Sequence, residues 1–242
     1  MRTATLGYSP QDTLGIGVEF IRQLKRRRTF VAFLLVVALP LIVVAAVRFG
    51  PSSNGDAGSS QGGGFGGGNF DLVGLATSGA WNFTITMLLF SSGFLLVIIA
   101  AMFLGDTVAS EASWSTLRYL LVAPVPRRKL LRTKAVVGLL LTAIVLLTLV
   151  LASWAIGAIA FGTAPLASPF GGALTQIESL QRLTVITTYI AITLLFPAAI
   201  AFLMSVLTDV PLGAVGTAVV VVTIFNILDA IEPRILAALP TL

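Results

Sequence analysis

The chain has 242 residues, of which 57% are hydrophobic and only 10% charged, with a mean hydropathy of +1.00 and a formal net charge of +5. An ordinary soluble domain carries about 25% charged residues, and ten acidic plus fifteen basic side chains cannot cover a water-soluble globule of this length. Cysteine and histidine are both absent, which excludes disulfides, thiolate and imidazole metal sites, histidine-dependent triads and the commonest proton relay.

Residues 1–28 are the polar N-terminal part. Within them Leu14, Gly17, Val18, Ile21 and Leu24 recur at the spacing of one helical face, while Glu19, Arg22, Gln23 and Arg26 fall elsewhere. The pattern predicts an amphipathic elbow helix over Thr13 to Arg27, lying in the headgroup layer with its Lys and Arg near anionic lipid. Such an elbow serves either as an anchor or as part of a docking surface, and the periodicity fits both. The basic run Lys25 to Arg28 is what the inner edge of a span requires and gives no sign of nucleic acid.

Residues 29–242 hold five uncharged apolar runs, each near the ~20 residues needed to cross about 30 Å of hydrocarbon. They fall at about 29–47, 84–104, 135–161, 183–207 and 211–228, and predict an all-α polytopic membrane protein. The region before the first run is too long for a signal peptide, and the run exceeds an h-region of about 7 to 15 residues, so it reads as a retained helix. Arg2, Arg22, Lys25, Arg26, Arg27 and Arg28 precede the first span, and Arg118, Arg127, Arg128, Lys129, Arg132 and Lys134 lie between the second and third. The other loops hold only Arg48, Arg182 and Arg234. This bias places the N-terminus in the cytoplasm. The Gly- and Ser-rich stretch at 50–70 reads as a flexible outer tether.

The sizeable inner loop is 105–134. In it Trp114, Leu117, Leu120 and Leu121 mark one apolar face of a short helix that Pro124 and Pro126 stop. An apolar face on the wet side of a membrane must be covered by headgroups or by a soluble partner, with Arg118, Arg127 and Arg128 as a polar rim. The apolar cores hold no Asp, Glu, Lys, Arg or His. A mid-bilayer charge costs at least about 2.5 kcal/mol, and ion-coupled transporters keep one because coupling needs it. Ion-coupled transport and a charge-lined channel are therefore disfavoured.

Hydroxyls within the spans, among them Thr84, Thr86, Ser91, Ser92, Thr184, Thr187, Thr188 and Thr193, read first as partners of helix backbone. Thr84, Ser91, Thr187, Thr188 and Asn226 are the candidates for lining a weakly polar pathway. Pro40 and Pro197 are expected to kink the first and fourth spans. The pattern GxxxxGK[ST] is absent, so ATP cannot be cradled in the P-loop manner and any ATP energy must come from another polypeptide. No acid, base, nucleophile or metal ligand clusters within the spans, which disfavours an enzyme.

From Glu111 through Ser115-Thr116-Leu117-Arg118-Tyr119-Leu120-Leu121, then Pro124-Val125-Pro126-Arg127 and Lys134, the sequence resembles the ABC type-2 transporter permeases, membrane subunits of bacterial ABC exporters. The elbow and the overall layout extend the likeness over most of the chain. The resemblance implies a permease that dimerises, as a homo- or heterodimer, and binds a separate ATPase subunit carrying ATP and Mg. It implies a coupling helix around Ser110 to Pro126, with Glu111, Trp114, Leu117, Arg118, Leu121 and Pro124 at the ATPase and the elbow residues Leu14, Val18, Ile21, Leu24, Arg22 and Arg26 beside it. It also implies a sixth helix, with Glu232 to Leu242 in a re-entrant turn before it. The sparse charge of the spans favours an amphiphilic, drug-like or lipid-like cargo, and the resemblance alone implies that it moves outward. The alternative is a non-transporting membrane scaffold that recruits a cytoplasmic partner lacking ATPase activity.

Overall fold

In a computed structural model of the chain, residues 16–49, 72–113, 127–166 and 175–238 are described, and among them the regular structure is entirely helical. In chain order the helices are α1 (Ile16–Leu24), α2 (Arg27–Phe49), α3 (Leu72–Thr77), α4 (Ala80–Ser92), α5 (Leu95–Ser113), α6 (Arg127–Phe161), α7 (Gln176–Thr193), α8 (Leu195–Leu207) and α9 (Pro211–Ala238). Four stretches are long and apolar enough to cross a membrane, namely Arg27–Phe49, Arg128–Phe161, Gln176–Leu207 and Pro211–Leu228. The pair α4 and α5, bent by 55°, is long and apolar enough only when the two are taken together, and counts as a fifth span on that basis. The protein is an all-α polytopic membrane protein.

The second span is thus broken where a continuous helix over 84–104 was expected. The break follows Ser91-Ser92-Gly93. Ser91 donates to the Met87 carbonyl at 2.6 Å and Ser92 to the Leu89 carbonyl at 2.8 Å, and Gly93 contributes no side chain to hold the next turn. Hydroxyls bonded back onto the helix beside a glycine are an established cause of sharp bends. The fourth span breaks at Leu194, where the ring of Pro197 disfavours a normal bond to the Thr193 carbonyl one turn earlier. The expected kink at Pro40 takes no such form, because α2 runs unbroken through it. Pro40 is fully buried, and Leu39, Val43 and Val44 around it pack on Ala76, Phe83 and Met87.

Contacts divide the chain into two compact units. The first comprises Met1–Thr29, Leu96–Ala143 and Thr193–Leu242, and the second Phe30–Leu95 and Ile144–Ile192. In the first unit Thr208–Val210 connects α8 to α9, Pro211 opens α9, and Phe196 meets Phe225 edge-on at 5.6 Å. α9 continues as helix to Ala238, so the re-entrant turn expected from Glu232 does not occur over that stretch. Close approach to α5 depends on glycine: a Cβ at Gly105 would stand 3.0 Å from Val215 Cγ2, and one at Gly138 of α6 would stand 3.0 Å from Leu104 Cγ.

The second unit is tied at the ends of α4, α6 and α7. Trp81 Nε1 donates to Gln176 Oε1 at 2.9 Å, Gln176 Nε2 donates to the Thr163 carbonyl at 3.2 Å, and Trp81 lies edge-on to Trp154 at 6.1 Å. Gly162, at φ 81, takes the left-handed turn that ends α6 and offers its carbonyl to Ala80 N–H at 3.0 Å. Thr175 and Glu178 cap the start of α7 reciprocally, with Thr175 N–H donating to Glu178 Oε2 at 3.0 Å and Glu178 N–H donating to Thr175 Oγ1 at 3.4 Å. Arg48 donates to the Ala160 carbonyl, one of the last acceptors of α6. A tryptophan with its N–H satisfied, edge-on to a second tryptophan, is the chemistry of a membrane–water boundary.

Candidate functional site at the elbow helix

The sequence places α1 with its apolar residues on one side, and the packing then selects the other side for the interior. Glu19 is 4% exposed and Gln23 is also buried, whereas Ile16, Val18, Ile21 and Leu24 face outward. A buried carboxylate must be matched. Gln23 Nε2 donates to Glu19 Oε1 at 3.1 Å, Arg22 Nε stands 3.1 Å from Oε2, and Lys134 Nζ stands 3.8 Å from Oε1.

Lys134, 1% exposed, sits in the first turns of α6 and also donates to the Thr107 carbonyl of α5 at 3.1 Å. One ammonium therefore joins α1, α5 and α6. A second knot forms at Asp106 of α5, which is likewise buried. Arg26 Nη1 reaches its Oδ2 at 3.1 Å and Arg28 Nη1 reaches its Oδ1. The turn carrying those arginines is fixed in turn by Thr29, whose hydroxyl donates to the Gln23 carbonyl at 2.7 Å. On the far side of α5, Ser205 Oγ of α8 accepts from Val108 N–H at 3.1 Å and Ala109 N–H at 3.0 Å.

Asp106 and Thr107 on one strand of the chain and Lys134 on the other flank the loop that the sequence singles out as a coupling element. The arrangement ties α1, α5 and α6 together through buried ion pairs. Charges buried seven residues inside α5 and α6 pair with α1 and the turn after it and fix the three helices in a single register. Among the described residues, no three His, Cys, Asp or Glu side chains gather as a metal-binding group.

The expected site residues are placed as follows. Trp114, Leu117, Arg118, Leu121 and Pro124 lie outside the described residues, as does Leu14. Glu111 lies in the last turn of α5. Val18, Ile21 and Leu24 form the exposed face of α1 as expected, Arg22 sits beside Glu19, and Arg26 is drawn to Asp106. Of the pathway candidates, Thr84, Ser91, Thr187 and Thr188 each donate to a carbonyl one turn earlier in their own helix, and Asn226 is exposed on α9. Their hydroxyls are spent on backbone, the commonest use of such residues in lipid.

Glu19 and Asp106 were not singled out from the sequence as site residues. The available signal was that Glu19 and Gln23 stand i, i+4 opposite the apolar stripe, and that Asp106 is the first acid after an apolar run. Charges at such edges need partners. A family described as a protein of unknown function (DUF2705) matches residues 67–232. No curated protein and no solved structure matches the chain.

Proposed function

Since the chain belongs to the DUF2705 family, described as a protein of unknown function, we propose from its own residues that it is the membrane permease subunit of an ATP-driven exporter of the ABC type-2 kind. A separate ATPase subunit supplies ATP, Mg and the energy, and a second permease subunit completes the pathway. The N-terminus and the 105–134 loop lie in the cytoplasm, the membrane is the plasma (inner) membrane, and the cargo is an amphiphilic drug-like or lipid-like molecule moved outward.

The observation that carries this reading is the ionic bracing of the loop at both of its roots. Asp106 is held by Arg26 and Arg28, and Lys134 by Glu19 and the Thr107 carbonyl. A loop that only filled space would not need two buried charges to fix its roots. A loop that receives force needs rigid attachment to the helices it moves, and α1, α5 and α6 are joined for that purpose. ATP-driven closure of the partner then shifts the populations of two membrane states through those helices.

The test is co-expression with candidate ABC ATPase subunits from the same source. Trp114→Ala is expected to lower the ATP turnover of the purified complex at least tenfold, as loss of an interfacial tryptophan anchor does. Glu111→Ala is expected to lower it less, and neither change should alter membrane insertion. Unaltered turnover, or a co-purifying partner without ATPase activity, would overturn the reading in favour of a scaffold.

A further inference from the structure

The outward side of α1 is apolar: Val18 is 73% exposed, and Ile16, Ile21 and Leu24 are exposed beside it. Its inward side spends Glu19 and Gln23 on the protein. The charges that follow indicate what covers the apolar face. Lys25, Arg27 and Arg28 come directly after α1 and are exposed. Among the described residues, neither Lys25 nor Arg27 pairs with a carboxylate. An aliphatic face bordered by unneutralised cations matches a layer that is apolar beneath and anionic on top.

One cation has a more specific setting. Arg28 gives Nη1 to Asp106 while its side chain stays 58% exposed. A planar guanidinium carries five donors, so a carboxylate on the inner edge leaves the outer edge for a second anion. Beside it a small cleft is lined by Arg26, Arg28, Thr29, Met102, Phe103 and Asp106. It places apolar Met102 and Phe103 next to the guanidinium groups.

We propose that α1 and the basic turn at 25–28 form a binding site for anionic phospholipid, with the headgroup phosphate on the outer edge of Arg28 and the acyl chains along α1 and Met102. Lys25 and Arg27 add attraction to the surrounding headgroups. The site goes beyond the exporter function and stands or falls without it.

The chain has no cysteine, so Val18→Cys carries a single nitroxide label in the full-length protein. In vesicles of phosphatidylcholine with phosphatidylglycerol, the label is expected to be reached by oxygen dissolved in the acyl layer and shielded from a water-soluble nickel chelate. Native mass spectrometry after detergent exchange is expected to show retention of phosphatidylglycerol over phosphatidylcholine of the same acyl chains. Arg28→Gln should reduce that preference about fivefold. Lys25→Gln with Arg27→Gln, which leaves the Asp106 pairs intact, should reduce it too. A label open to the nickel chelate would assign the face to a soluble partner and overturn the proposal. So would equal retention of the two lipids in the unmodified chain, an unchanged preference in both variants, or displacement of phosphatidylglycerol by inorganic phosphate.

Discussion

Lys134→Met is expected to destabilise the protein by about 3–5 kcal/mol, the cost of breaking a buried ion pair by removing one member. Methionine keeps most of the stem volume, so the loss isolates the ammonium. Glu19, 4% exposed, loses its buried cation and keeps only the half-exposed Arg22, and the Thr107 carbonyl loses its donor. Glu19→Gln should also be costly, because it removes the carboxylate charge that faces the buried ammonium. The double variant should recover part of the sum, since neither partner then faces an unmatched charge. Arg22→Gln provides the contrast: its side chain is 50% exposed beside the same carboxylate, and such pairs contribute at most about 1 kcal/mol. Unfolding in mixed micelles followed by circular dichroism measures all four. A Lys134→Met protein as stable as the parent would show that the braced roots carry no energy.

The second large effect is expected at Gly157 of α6. A Cβ there would lie 2.9 Å from Phe83 Cδ1 and 3.2 Å from the Cα of Ala80. Neither can retreat easily. Phe83 is fully buried and packed against Phe161 at 5.5 Å, and Ala80 is backbone held by the Gly162 carbonyl. Small residues let membrane helices approach closely, and overfilling such a contact costs about 1–3 kcal/mol. Gly157→Ala is expected at the lower end of that range, and Gly157→Leu beyond it, with little folded protein recovered. Gly216→Ala on α9 is the control. A Cβ there meets nothing within 4 Å, and a compatible Gly→Ala change stabilises by about 0.4–1 kcal/mol. Monodisperse yield and melting temperature in detergent read the series.

Much of the fold was legible because the bilayer imposes a length on every crossing, and five runs of that length are plain in the sequence. The breaks were harder to read. Pro40 and Pro197 look alike in sequence, yet α2 runs unbroken through the fully buried Pro40 while the helix is interrupted at Leu194, just before Pro197. Ser91-Ser92-Gly93 bends the second span with no proline at all. The elbow was legible as an amphipathic stripe. Its interior side was not, because the stripe draws attention to Val18, Ile21 and Leu24 while the interior receives Glu19 and Gln23. The partners of those groups are remote in sequence: Lys134 for Glu19, and Asp106 for Arg26 and Arg28. Periodicity reports which face a residue occupies and carries no information about which distant charge it will meet.

The two ionic knots also explain why Lys134 and Asp106 lie just beyond the apolar runs. A turn deeper, their desolvation would cost more than pairing returns. A turn further out, solvent would weaken the pairs to surface values. Their burial keeps both pairs stronger than surface pairs, which the proposed transmission through the loop between them requires.

The central claim, that the 105–134 loop meets an energy-supplying partner in the cytoplasm, is tested most directly by Leu117→Cys in this cysteine-free chain, labelled with a membrane-impermeant maleimide. The thiol should be unreactive in intact cells, reactive once the membrane is permeabilised, and shielded again when the ATPase subunit is co-expressed. Labelling in intact cells, or reactivity after permeabilisation that the ATPase leaves unchanged, would contradict the account.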